Sequence, residues 1–192
     1  RTAHRHPYLE AICSERSYYT WPDYNQDGDC SSTSLQVYGY EQIRDSKQQL
    51  RSCLLGEFTY IDLPGLYSGG FLRKTLVDRV YALQGGKFFR HATPDAYGAL
   101  MAVLHTFRYL ETGIPLTVVG TSPVRNRQGA GFHKNRTEEF YDRLKDHNEF
   151  SSSGLLGPGE AQQFAHWPFQ MFFLETYISA APFTSLEWMS NK

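Results

Sequence analysis

Cysteine is scarce, with Cys13, Cys30 and Cys53 the only three in 192 residues, and no CxxC spacing occurs. An odd, unpatterned set excludes a disulfide framework and the common zinc and redox signatures, and favours a reducing, cytoplasmic setting. On that reading the Asn135-Arg136-Thr137 sequon is a chance match. An excess of charge of one sign is also missing: 19 basic side chains face 20 acidic ones, for a net charge of -1. Binding to a phosphate backbone needs clustered Lys and Arg, so nucleic acid is not an expected partner. No apolar run approaches the ~18 residues of a spanning helix, and no membrane span is expected. The chain opens Arg1, Thr2, Ala3, His4, with neither an initiator Met nor a signal peptide, as expected of a segment cut from a longer chain.

What is present is a globular composition, 41% hydrophobic and 20% charged. It suits one domain, or a large part of a bigger one. Aromatics are plentiful, with 13 Tyr, 13 Phe and 3 Trp. Their flat faces and polar edges suit sugar rings or nucleobases as well as core filling.

Periodicity divides the chain into three stretches. Residues 1–34 show no sustained period and read as an irregular continuation of an upstream half, with a short strand near 18–21. Residues 35–150 read as an α/β region: strand character at 35–40, a helix over 41–55 closed by Gly56, a strand at 58–63, and a turn marked by Gly65, Gly69 and Gly70. Leu72, Leu76, Val80 and Leu83 then give an amphipathic helix stopped by Gly85-Gly86. A second helix follows Pro94-Asp95, with Ala99, Leu100, Val103, Leu104, Phe107 and Leu110 inward and Gly113 as its stop. A buried strand occupies 115–119, a loop with Arg125, Asn126, Arg127 and His133 follows, and a polar helix is expected over 137–148. Residues 151–192 read as a linker and a last helix presenting Phe164, Trp167, Met171, Leu174 and Ile178 on one face.

Asp23-Tyr24-Asn25-Gln26-Asp27-Gly28-Asp29 has the D-x-N-x-D-G opening of a calcium loop, in which alternating oxygen ligands wrap a hard cation. Its twelfth position is Ser34, where a bidentate Glu belongs. The same stretch contains Asp27-Gly28-Asp29, formally a DxD, without the apolar strand that presents such a motif to a nucleotide diphosphate.

Three ordered runs carry a resemblance: YIDLPGLYSGGFLR over 60–73, TPDAYGA over 93–99 and PLTVVGTS over 115–122. Together they resemble the C-terminal half of bacterial family 2 glycosyltransferases, over approximately residues 18–135. The resemblance implies an α/β fold of GT-A type, in which an upstream Rossmann-like half binds the nucleotide sugar and this half shapes the acceptor site. The implied activity is transfer of a sugar from a nucleotide-sugar donor to the hydroxyl of a glycan or other acceptor, with Mg or Mn acting through the donor diphosphate. No strand-borne DxD precedes the matching region, so this chain alone is expected to be incomplete, and an edge exposed by the missing half favours self-association. Arg125-Asn126-Arg127 also departs from the small residues expected after Gly120-Thr121-Ser122.

Asp95 is the expected general base, because inverting transfer needs a carboxylate within hydrogen-bond reach of the acceptor hydroxyl. An Asp just before a helix also caps it, and the two roles are compatible. Tyr67, Gly69, Gly70, Arg73, Tyr97 and Ser122 are the expected substrate-binding residues, Arg73 through its planar fork toward a diphosphate or carboxylate. The histidines form no metal-site spacing. Two other readings stay open: a non-catalytic carbohydrate-binding or interaction module, and a calcium-binding module at 23–29.

Overall fold

A computed structural model describes residues 5–21, 32–66, 69–91, 94–121 and 169–184. Element order is β1 (Ala11–Thr20), β2 (Ser32–Ser34), β3 (Glu41–Asp45), α1 (Ser46–Leu54), a 3-10 turn (Tyr60–Asp62), β4 (Gly70–Leu72), α2 (Lys74–Leu83), α3 (Pro94–Leu104), β5 (Arg108–Thr121), α4 (Phe169–Ala180) and a second 3-10 turn (Ala181–Phe183). The architecture is α/β, with a mixed five-stranded sheet among the described residues.

β1 is the hub of that sheet. Its first residues pair antiparallel with β4 and its last with β2, while along its other edge it runs parallel to β5, which in turn holds β3 antiparallel. The parallel register passes from Ser14↔Thr112 to Arg16↔Thr117, so residues 113–116 of β5 bulge away from β1. Pro115, which lacks a backbone donor, falls inside this bulge, where no ladder bond is required of it. Gly113 is held there by Tyr40 and Tyr38, through N–H···O bonds of 3.0 and 2.8 Å.

One face of the sheet meets the helices. Ala11, Cys13 and Tyr109 join Leu50 and Cys53 of α1, Leu76 and Val80 of α2, Leu100, Val103 and Leu104 of α3, and Phe173 and Ala180 of α4 in a single core cluster. α3 is the innermost element: every residue from Ala96 to Leu104 is buried.

Several expectations change. Ala11–Thr20 is the central strand rather than irregular chain, and its polar Ser14 and Ser17 are buried, which erased the alternation a half-buried strand would display. Residues 35–40 form no strand; β3 follows them, taking the first five residues of the expected 41–55 helix. α1 begins only where Asp45 accepts from Gln48 N at 2.9 Å as its N-cap, and Gly56 follows its end with φ 78°. The expected strand at 58–63 is instead a 3-10 turn closed by a capping box, with Asp62 Oδ2 accepting from Thr59 N at 2.9 Å and Thr59 Oγ1 at 3.0 Å. α3 stops at Leu104 rather than near Gly113, because the Thr106 hydroxyl donates to Ala102 O at 2.8 Å and ends the helical ladder. Phe107 is then exposed and Leu110 belongs to β5. α2 keeps Leu76 and Val80 inward as expected, but Leu72 belongs to β4 and Leu83 is exposed, so the buried face is shorter than the expected one. The buried face of α4 carries Phe173, Thr176 and Ala180 while Leu174 is exposed, so it is rotated from the expected one; a helix apolar on all sides leaves the choice of face to packing. Phe164, Trp167 and the expected 137–148 helix lie outside the described residues. Among the described residues no helix is long and apolar enough to cross a membrane.

Candidate functional site

α3 opens at Pro94, whose fixed φ and missing N–H suit the first helical position. Asp95 is therefore the second helical residue and not the cap, which corrects the sequence expectation. Its carboxylate still lies in the first turn, where the helix dipole favours negative charge. Tyr60, on the first 3-10 turn, donates its hydroxyl to Asp95 Oδ2 at 2.6 Å and fixes the carboxylate's orientation. Asp62, on the same turn, is committed to the capping box with Thr59.

Gly69 has φ 88°, and its carbonyl accepts from Ser14 N at 3.2 Å and Ser14 Oγ at 2.7 Å. A Cβ there would come within 2.9 Å of Ser14 O and 3.1 Å of Thr117 Oγ1. A Cβ on Gly70 would meet Gly65 O at 2.5 Å. These glycines thus permit close approach of the chain's own residues, Ser14 and Thr117 at Gly69 and the Pro64-Gly65 backbone at Gly70. Arg73 follows β4, its Nε donating to Leu9 O at 2.8 Å, and the residue is exposed. Tyr97 is fully buried and donates to Gln84 Oε1 at 2.7 Å, so in this structure it packs the core. Tyr67 and Ser122 lie outside the described residues, as do Asp23–Asp29 and His133.

Between the 3-10 turn and the β1–β5 pair lies a polar cleft of about 110 Å³, lined by Ser14, Arg16, Tyr40, Arg44, Asp62 and Glu111 among others. Glu111 accepts from Tyr40 at 2.9 Å and forms an ion pair with Arg44. Burial and then the bond to Glu111 push the Tyr40 hydroxyl well above the usual phenol range. Arg16 donates to Ile61 O at 3.4 Å, while its buried Nε has no hydrogen-bond partner. Cys13, beneath the cleft, is raised to about 12 by burial and then by the Glu111 charge. Donors and acceptors alternate around this cleft, a lining suited to a hydroxylated ligand. Sequence reading missed Arg16, Tyr40, Arg44 and Glu111, whose partners are remote along the chain; the Thr59-x-x-Asp62 spacing was the one local cue to the turn beside them.

Among the described residues no group of three or more His, Cys, Asp or Glu is placed to hold a metal. No protein-family model matches the chain, and no curated protein or solved structure matches it.

Proposed function

We propose that the chain is the acceptor-side part of a GT-A type glycosyltransferase, which passes a sugar from a nucleotide-sugar donor to the hydroxyl of a glycan or other acceptor. The observation that carries this reading is that the three motif runs meet in space. Tyr60 of the first grips Asp95 of the second at 2.6 Å, and Gly69 of the first packs on Thr117 of the third. The polar cleft lined by Ile61 and Asp62, the residues that follow Tyr60 on its turn, offers the acceptor sugar mixed donors and acceptors, with the Tyr40 and Phe58 rings at its wall.

In this mechanism Tyr60 occupies one carboxylate oxygen of Asp95 and leaves the other for the acceptor hydroxyl. That oxygen takes the hydroxyl proton as the acceptor attacks the anomeric carbon. Mg or Mn would neutralise the leaving diphosphate when bound. The described carboxylates do not fit such an ion, since Asp62 is turned to Thr59 and Glu111 to Arg44 and Tyr40, and no step here is routed through it.

Asp95→Asn, made in the protein that carries this chain with a donor-binding half, tests the proposal. Asn keeps an oxygen for Tyr60, so the melting temperature should barely move while turnover with UDP- or GDP-sugars falls roughly 10²–10⁴-fold. Near-normal turnover would leave Asp95 a structural residue. Sugar binding without any transfer, in the unaltered protein, would favour the non-catalytic carbohydrate-binding reading.

A further inference from the structure

The face of the sheet turned away from the helices carries a continuous apolar row. Phe71 of β4 pairs with Ile12 of β1, Ile12 with Leu110 of β5, and Leu110 with Ile43 of β3. By strand alternation these four lie opposite the Ala11, Cys13 and Tyr109 side chains that enter the core. At strand spacings of ~4.8 Å the row spans roughly 14 Å. Phe71 and Ile43 at its ends are 43% and 39% exposed, Ile12 is half-buried, and Leu110 is 1% exposed. Over its Phe71–Leu110 part, His6, Pro7 and Leu9 form a lip that turns the row into a groove of about 420 Å³.

One end of this groove is cationic. Arg73 lines it, tethered through Nε to Leu9 O, and among the described residues it forms no ion pair. Glu10, also on the lining, is already engaged: Arg79 bonds it at 2.6 Å and Thr75 at 2.9 Å. Although burial works against it, those bonds hold its carboxyl below the ordinary range, so it stays charged and paired. Arg73, Arg79 and Glu10 together leave one positive charge beside an apolar trough.

We propose that this groove binds a linear fatty carboxylate, its hydrocarbon chain laid across Phe71 and Ile12, with Leu110 at the floor of the groove, and its head taken by the Arg73 fork. The trough is too apolar for a sugar, and the positive charge at its end favours an anionic head over a wholly apolar occupant. The site lies on the opposite face from Asp95 and does not rest on the glycosyltransferase reading.

Calorimetry on the unaltered chain with octanoate, decanoate and dodecanoate, each below its micelle concentration, reads the proposal directly. Saturable binding at one site should tighten about three- to fourfold per added methylene until the row is filled. Decanol should bind at least tenfold more weakly than decanoate, and decyltrimethylammonium more weakly still. Arg73→Gln should weaken decanoate about tenfold and leave decanol unchanged, whereas Phe71→Ser should weaken both. Absence of saturable binding, equal affinity for the cation and the carboxylate, or an Arg73→Gln variant that folds and binds decanoate normally would overturn it. So would a dimer in sedimentation that Phe71→Ser dissociates and decanoate does not disturb, since a second copy would then be the occupant.

Discussion

Cys13 and Cys53 lie beneath the site with thiols raised to about 12, in each case by burial first. Both donate weakly to carbonyls of the 59–63 segment, at 3.4–3.6 Å. The thiolate is the reactive form, so neither should react with iodoacetamide at pH 8 until the fold opens. Peptide-resolved mass spectrometry with and without denaturant checks this, and rapid native labelling of Cys13 would show that the cleft breathes. His91 gives a pH dependence. Burial lowers it to about 4, from ~6.5 in an unfolded chain, and it stacks on Tyr97 with ring centres 6.3 Å apart. The unfolded state therefore takes the proton first as pH falls. Stability present above about pH 6.5 is lost progressively down to about pH 4 and then levels, a change on the order of 3 kcal/mol. His105, also lowered by burial, adds in the same direction. Melting curves from pH 7.5 to 4 should fall by roughly 6–10 °C for His91 alone. His91→Gln should remove that part of the slope; an undiminished slope would assign it to other groups.

Elements differ in how far they could be read from the chain. α2 was legible because Leu76 and Val80 sit four apart, although Leu83, counted with them, is exposed. α3 was placed by Pro94-Asp95 but overrun at its end, since its stop is a hydroxyl-to-carbonyl bond that leaves no break in hydrophobicity. β1 was hidden for the opposite reason, having polar Ser14 and Ser17 buried where apolar residues would have marked a strand. Of the site, Asp95 at a helix start was readable, while its grip by Tyr60, 35 residues away, was not. The glycine turn was readable, while its accommodation of the Pro64-Gly65 backbone was not. Gly70→Ala should therefore cost about 1–3 kcal/mol, because the obstructing atoms are main chain and cannot rotate aside. Gly85→Ala is the comparison: its φ is 64° but nothing lies within 4 Å, so only the ~1–2 kcal/mol of left-handed strain applies. At roughly 2–4 °C per kcal/mol, differential scanning calorimetry measures each shift. An unperturbed Gly70→Ala would mean the 65–70 segment is not clamped as described.

At the scale of the molecule, the sheet is organised around a pairing that local sequence cannot announce. Ile12 and Leu110 are partners in a parallel ladder, and nearly a hundred residues, including three helices, are threaded between them. Parallel neighbours require such a crossover, so the central pair is also the most remote. A fragment ending before Arg108 keeps β1, β3 and β4 but loses the strand that joins β1 to β3, and should show no cooperative melt by circular dichroism. A sharp transition would mean that β5 is dispensable. The same separation bears on how the protein is made. At about 5–20 residues per second, β1 leaves the ribosome roughly 5–20 s before Leu110 does. Throughout that interval the sheet's hub has open edges and no permanent partner on the β5 side, a template for pairing with a neighbouring nascent chain. Slow translation across the helices lengthens the exposure, so yield in cells should depend on chaperone capacity more steeply than equilibrium stability alone would indicate.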